Sequence, residues 1–287
     1  MLWFVFALIT AFSEATKDLF SKKVLKEVDA YVSAWSLSAF SFLFLLPLLF
    51  IIDIPVLGGF FWHAILLQTV MLTISMILYM KAIKTSPLSV TLPMLAFTPS
   101  FMLITSPLIL GESPGFFGIM GILLIVLGAY ALNVQRVGEG FLTPFKALFE
   151  ERGPILMMMV AFIWSIAANV DKIGVLNSSP LFYVVIVEGA ISVGLFITMH
   201  FKSENYQKQI KNNLKGLLPI GFFFAIGIAS QMIALKLTLA TFVISVKRTS
   251  ILVGSIYGFI FFKETHIKER LLGALIMILG VLLITLF

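Results

Sequence analysis

The chain has 287 residues, 60% hydrophobic and 12% charged, with 29 Phe, 13 Met and a formal net charge of +6, and its mean hydropathy is +1.08. A soluble domain carries about 25% charged residues, so half of the expected solvating charge is missing and the composition is that of an integral membrane protein. There is no Cys, which excludes disulfides, thiolate nucleophiles and Cys-ligated metals, and the basic residues are spread over short connections rather than gathered into a nucleic-acid-binding patch.

A helix crosses the hydrocarbon with about 20 mostly apolar residues. In chain order such runs fall at residues 2–20, 30–52, 62–82, 88–110, 116–132, 154–172, 181–200, 214–235, 239–262 and 271–287. The first carries Glu14, Lys17 and Asp18 and has no basic leader, so a cleaved signal peptide is not expected. Turn and charge signals mark the joints: Ser21-Lys22-Lys23, Pro55 with Gly58-Gly59, Ser86-Pro87, Gly111-Glu112-Ser113-Pro114 and Ser178-Ser179-Pro180. Uniform apolar runs predict helices, whereas a barrel would show short alternating strands. The longest polar connections, residues 133–153 and 202–211, leave room for a short interfacial helix each. In the first, Thr143-Pro144 is a start signal ahead of Phe145, Leu148 and Phe149 on one face.

The second half repeats the first. Ala11-Phe12 recurs as Ala161-Phe162, and at the same offset Ser21-Lys22 meets Asp171-Lys172. Glu112, Gly121 and Gly128 meet Glu264, Gly273 and Gly280 at a second shared offset. The best parse is five spans plus five: a first repeat over residues 1–135, a linker over 136–153 and a second repeat over 154–287. Charge tests this independently. The connections after spans one, three, five, seven and nine hold Lys22, Lys23, Lys26, Lys81, Lys84, Arg136, Lys146, Arg152, Lys202, Lys208, Lys211, Lys215, Lys263, Lys268 and Arg270, against Lys172 and Lys236 on the other side. Fifteen against two places the first group in the cytoplasm and both termini outside the cell membrane. An odd number of spans per repeat inserts the halves in opposite senses, the pattern of an inverted-topology repeat among secondary transporters.

The first-helix ending Phe20-Ser21-Lys22-Lys23, its twin Val170-Asp171-Lys172, and the Gly111-Glu112 and Lys263-Glu264 joints, each ahead of a Gly-spaced apolar final helix, resemble the drug/metabolite transporter superfamily, specifically its ten-helix EamA-type members. The resemblance covers nearly the whole chain. It implies an all-α membrane protein of ten helices, two inverted five-helix repeats around a central cavity, with alternating access and no ATP hydrolysis. Members usually keep both termini in the cytoplasm, the reverse of the charge count here.

Intramembrane charge is the most specific signal. An Arg or Lys at a helix centre costs about 2.5–3.5 kcal/mol on insertion scales, so such residues are expected to face a cavity or a partner. Lys247 and Arg248 sit side by side in span nine, roughly nine residues or 14 Å from its outer end, beyond comfortable snorkelling. They are expected either to bind an anionic substrate group or to be neutralised by carboxylates. Glu188 in span seven matches their depth and Glu14 lies two-thirds along span one, so both are candidate counterions. Lys17 and Asp18 lie close enough to the cytoplasmic end to pair or snorkel. Lys247, Ser250, Gly254 and Gly258 share one face of span nine, and Ser165, Asn169 and Lys172 share one of span six, with Trp164 beside it. Gln231, Gln68 and Tyr79 are neutral candidates for cavity lining or for helix–helix hydrogen bonds. Pro93 and Pro99 lie inside span four, with Pro87 and Pro107 at its margins, and interior prolines break a helix where it lines a cavity. The expected substrate-binding set is therefore Lys247, Arg248, Glu14, Glu188, Asn169, Gln231 and Tyr79.

These features predict a secondary transporter of a small polar, zwitterionic or anionic metabolite. Its expected partners are the lipid bilayer, the substrate, and a coupling proton or counter-substrate; no cofactor or metal is expected. A monomer or weak homodimer is the expected assembly. A membrane scaffold or sensor would not need Lys247 and Arg248 buried. An intramembrane enzyme would need a nucleophile–base pair or metal ligands, and His63, His200 and His266 all fall at segment ends or in loops, which leaves only a carboxylate mechanism.

Overall fold

The structure, a computed structural model, describes residues 1–86, 88–133, 152–254, 257 and 267–286, with backbone alone for residues 88–90, 93, 132–133 and 267–272. Among the described residues every regular element is helical: α1 (Leu2–Val24), α2 (Ala30–Leu45), α3 (Phe61–Thr85), α4 (Leu88–Leu95), α5 (Thr98–Leu110), α6 (Phe116–Asn133), α7 (Arg152–Leu176), α8 (Pro180–Lys202), α9 (Tyr206–Leu237), α10 (Ala240–Lys247) and α11 (Ile267–Leu286). Five stretches are long and apolar enough to cross a membrane: Ala30–Phe50, Phe61–Thr85, Arg152–Leu176, Pro180–Lys202 and Tyr206–Leu237. Thr98–Leu110, Phe116–Ala131 and Gly273–Leu286 are shorter apolar helices. Helix α1 has the length, 23 residues, but crowds Glu14, Lys17, Asp18, Lys22 and Lys23 into its second half. The exterior is apolar, with Leu66, Ile104, Leu108, Phe116 and Val193 all exposed, while Lys17, Glu188 and Arg248 are buried. This inside-out distribution is the one a lipid solvent imposes.

Local chemistry sets the ends. The Asp29 carboxylate caps α2 by accepting from the Tyr31 and Val32 amides at 2.8 and 2.9 Å. Pro47, which lacks an amide hydrogen, stands where α2 tightens into the 3-10 turn Leu46–Phe50. Gly111 ends α5 with φ of 69°, and its amide donates to the Pro107 carbonyl at 3.1 Å; a side chain there would be strained.

The joints gather into two groups. In one, Lys22 donates to the Ile83 carbonyl at 2.9 Å and Lys84 to that of Val28 at 3.0 Å, and Gln209 joins Asp29 to the α8–α9 turn. In the other, the Gly58 amide donates to the Asn177 carbonyl at 2.8 Å. There too Glu112 pairs with Lys172 and accepts from the Ala240 amide at 3.0 Å, and Lys172 donates to the Thr238 carbonyl at 2.7 Å. The Gly111-Glu112 motif is thus a clamp: it ties the end of α5 to the end of α7 and the start of α10.

Two expectations are corrected. The 202–211 connection holds no separate interfacial helix: after a turn at Asn205, φ 50°, α9 begins at Tyr206 and runs 32 residues without interruption, so the polar segment is its first turns. Span nine is not one continuous helix: α10 stops at Lys247 and helix resumes at residues 250–254. Between them the bonds tighten to the i→i+3 kind, Thr249 to Val246 and Leu252 to Thr249. Span four breaks in the same way, as its prolines predict. Pro99 has no amide hydrogen for the Leu95 carbonyl, and the Thr98 hydroxyl donates to that carbonyl instead, at 2.8 Å. The 143–149 segment, the Lys263-Glu264 joint, Pro87, Arg136, Lys146, Gly258 and His266 lie outside the described residues.

The most extensive helix pairings are α6 with α11, α1 with α9 and α3 with α7, followed by α9 with α2 and α2 with α8. Between α6 and α11 the glycines let two backbones touch. A Cβ on Gly121 would stand 2.7 Å from the Gly280 carbonyl, one on Gly280 2.5 Å from that of Gly121, and one on Gly128 2.6 Å from that of Gly273. Close approach of this kind substitutes for hydrophobic driving force in lipid. Gly121→Val is therefore expected to destabilise the detergent-purified protein by about 1–3 kcal/mol. Gly59→Ala, where a Cβ meets nothing within 4 Å, should stay within about 0.5 kcal/mol. Thermal unfolding of both variants checks the contrast.

Candidate functional site

Five of the buried charged residues line one cavity of about 50 Å³ among α1, α3, α7, α9, α10 and Arg248. Its polar lining is Glu14, Lys17, Gln68, Tyr79, Trp164, Asp171, Gln231, Lys247 and Arg248, set among apolar residues such as Leu72, Phe224 and Ile244. Four of the charges form an alternating chain. Lys17 stands 3.0 Å from both Asp18 and Glu14, and the other Glu14 oxygen stands 3.4 Å from the Lys247 ammonium. Lys247 also donates to Gln231 Oε1 at 2.9 Å, and the Tyr79 hydroxyl donates to Asp18. Two cations and two carboxylates cancel, as charges this deep must.

Arg248 stands apart from that chain. It is 2% exposed and makes no ion pair within 4 Å among the described residues. One terminal nitrogen donates to the Thr98 hydroxyl at 3.0 Å, and Nε has no hydrogen-bond partner. Because Thr98 opens α5 and Arg248 follows α10, this bond joins the two helix breaks to each other. Trp164 forms one wall: its ring stacks on Tyr79 at 5.3 Å, its Nε1 donates to Ser75 at 3.0 Å, and both Lys247 and Arg248 lie 5.6 Å from its centroid, within cation–π range. On another side Asp171 accepts from Gln68 Nε2 at 2.7 Å and from the Tyr183 hydroxyl at 3.1 Å.

Of the expected set, the structure brings together Lys247, Arg248, Glu14, Gln231 and Tyr79 at the cavity, and it leaves two out. Glu188 is not the counterion of the basic pair: it is fully buried against α2, where the Ser38 hydroxyl donates to it, and Glu14 takes Lys247 instead. Asn169 does not line the cavity: it bonds Thr105 at 3.2 Å and Ser106 at 2.8 Å on α5, which makes it a helix–helix linker. Lys17 neither snorkels nor pairs with Asp18 alone; it is the centre of the charge chain. Asp171, Trp164 and Thr98 were not in the expected set. The signal for the first two was present, since residues 164, 168 and 171 share a helical face.

The family model described as the EamA-like transporter family matches residues 1–134 and 151–286. The chain belongs to that family. A protein of Archaeoglobus fulgidus described as an uncharacterized transporter is 24% identical over 296 residues, covering 100% of this chain and 99% of its own. A solved crystal structure superposes on 99% of the chain and 96% of its own length, with a TM-score of 0.73 at 12% identity, a likeness of fold. Family and apolar helices together make this EamA-like chain a multi-pass membrane transporter.

The charge chain makes a testable claim about stability. Glu14→Gln leaves Lys247 buried without a counterion, and breaking a buried pair costs about 3–5 kcal/mol. The double variant Glu14→Gln/Lys247→Gln should recover most of that loss in thermal unfolding of the purified protein.

Proposed function

We propose that this EamA-like transporter is a secondary carrier of a small carboxylate-bearing metabolite, anionic or zwitterionic, which Arg248 holds at the centre of ten membrane-spanning helices. The observation that carries the reading is a buried guanidinium at a cavity wall with no carboxylate of its own and an unused Nε. A planar guanidinium binds a carboxylate through two parallel hydrogen bonds, and the Trp164 ring beside it supplies an apolar face for the rest of the molecule. Lys247, Glu14, Gln231 and Tyr79 complete the binding surface, and Lys17, Asp171, Trp164 and Gln68 join them.

The inverted repeat is part of the same proposal. Exchanging each helix for its counterpart in the other half turns α1 on α9 into α7 on α3, and α2 on α9 into α8 on α3, and all four contacts exist. Lys22 and Lys172, at equivalent positions, each donate to a carbonyl just ahead of a broken span. Gly121 meets Gly280 and Gly128 meets Gly273, the antiparallel arrangement of equivalent segments around a two-fold axis. A cavity of about 50 Å³ holds a few water molecules and falls below the ~300–1,000 Å³ of a ligand pocket, so binding requires the halves to part, as alternating access demands.

Two measurements test this. In a stability-shift panel on purified protein, a carboxylate ligand at a hundredfold over its Kd should add about 2.7 kcal/mol. Arg248→Ala should lower affinity at least tenfold, since a charge-assisted hydrogen bond is worth about 1.5–3 kcal/mol, and Arg248→Lys should retain part of it. Wild-type affinity in Arg248→Ala overturns the reading. For orientation, with both termini proposed outside, Val56→Cys should be labelled by an impermeant external reagent and Lys26→Cys shielded. The reverse result returns the chain to the family's usual sidedness.

A further inference from the structure

The charge chain leaves two buried carboxyls with no cation within 4 Å among the described residues. Glu188 is 0% exposed; the Ser38 hydroxyl donates to Oε2 and its backbone carbonyl accepts from the same hydroxyl at 3.4 Å, but Oε1 has no partner. Asp171 is 4% exposed and faces the cavity. Both of its hydrogen bonds, from Gln68 and Tyr183, end on Oδ1, which leaves Oδ2 available to cavity water. The two carboxyls share α8 as a neighbour: Tyr183 on that helix donates to Asp171, and Glu188 lies further along the same helix. The groups facing them from neighbouring elements are Ser38 on α2, Gln68 on α3, Tyr183 on α8 itself and, more distantly, Lys247 toward Asp171. Gln68 Oε1 is also buried without a donor.

A carboxylate oxygen in this setting with neither cation nor donor is far too costly to keep ionised, so Glu188 holds a proton. Charge bookkeeping across the cavity then fixes how protons and substrate relate. The Asp18–Lys17–Glu14–Lys247 chain sums to zero, and Arg248 adds one positive charge. In the empty protein, an ionised Asp171 beside a protonated Glu188 makes the core neutral. With a monocarboxylate on Arg248, the core is neutral only when Asp171 also holds a proton.

We propose that Asp171 and Glu188 form the proton site of the transport cycle, holding one proton in the empty carrier and two when a monocarboxylate occupies Arg248, so that one proton travels with each substrate anion. This rests on the carboxylate reading of the Arg248 site and names its coupling ion. Asp171 is the group that changes state, because it faces the cavity. Glu188 stays neutral and denies Asp171 a cationic neighbour on that side.

The first test needs no substrate. Infrared spectroscopy of the purified full chain in nanodiscs should show a protonated-carboxyl stretch at neutral pH that disappears in Glu188→Gln, and a second that titrates with pH and disappears in Asp171→Asn. Ser38→Ala should shift the Glu188 band while leaving it present, which keeps the assignment testable should Glu188→Gln fail to fold. Absence of the Glu188 band, or a titrating band that survives Asp171→Asn, overturns the proposal. The second test uses proteoliposomes with radiolabelled pyruvate, lactate and acetate. A one-unit pH gradient supports about tenfold accumulation when one proton accompanies each anion. Asp171→Asn should abolish that accumulation, and the equilibrium exchange of the same probe that it retains should no longer vary with pH. Accumulation that persists in Asp171→Asn, or that follows a sodium gradient and not pH, overturns the coupling. Exchange of none of these probes in wild type counts against the carboxylate reading of Arg248, whereas the infrared bands decide the proton site by themselves.

Discussion

Everything in the centre of this molecule depends on neutralising charge where water is scarce. Glu14, Lys17 and Asp18 lie within five residues of one helix, and in a soluble protein they would be an unremarkable exposed turn. Buried, they must find partners, and α1 alone leaves one negative charge over. Lys247 supplies the missing cation from the other half of the chain. That single contact ties α1 to α10, gives Glu14 an ion pair across the interface between halves, and leaves Arg248 without an ion pair among the described residues. An arginine so buried, held by one hydroxyl and paired with no carboxylate among the described residues, is the observation on which the proposed substrate site rests.

The helix breaks have the same logic. A continuous helix satisfies its own backbone and can offer a cavity only side chains. Where spans four and nine tighten or break, hydroxyls turn inward and backbone groups become available: Thr98 both repairs the Leu95 carbonyl and accepts from Arg248. The two breaks are therefore coupled through one side chain, and under the proposed reading an anion competing for Arg248 would act on both at once. Such a ligand would have differential contact with the conformations, which is the requirement for binding to shift a conformational equilibrium.

Much of the fold was legible in the sequence because lipid permits few solutions. Apolar runs located the described helices, apart from the start of α9 and the breaks in span nine, turn residues located the joints, and the glycines that matched between the halves, Gly121 and Gly128 with Gly273 and Gly280, lie where α6 and α11 touch. The site was half legible. Depth along a helix follows from counting residues, and three residues singled out by depth, Lys247, Arg248 and Glu14, line the cavity. Azimuth does not follow from counting. Glu188 has the right depth and faces α2 instead of the cavity. In α7 the stripe through Ser165 and Asn169 contacts α5, while the stripe one residue earlier, Trp164 to Asp171, contacts the cavity. One residue is 100° of rotation, and nothing in an apolar helix tells which polar stripe faces water. The α9 start was missed for a related reason: polarity of residues 206–213 signals exposure to solvent, and exposure does not distinguish a connection from a helix that extends beyond the lipid.

The rotation of α7 also explains how one helix can serve two purposes. Its Ser165–Asn169 stripe is fixed by hydrogen bonds to Thr105 and Ser106, and its end is clamped by Lys172 to Glu112 and Thr238. Both attachments are to the segments that flank the breaks, α5 and the start of α10. The neighbouring stripe, Trp164 and Asp171, is fixed to α3 through Ser75 and Gln68. Any movement of α5 or α10 relative to α3 must therefore pass through α7, changing the distance between Trp164 and the two cations on one side and the surroundings of Asp171 on the other. A substrate on Arg248 and a proton on Asp171, as proposed, would both be felt by this helix, which gives the proposed coupling a physical route.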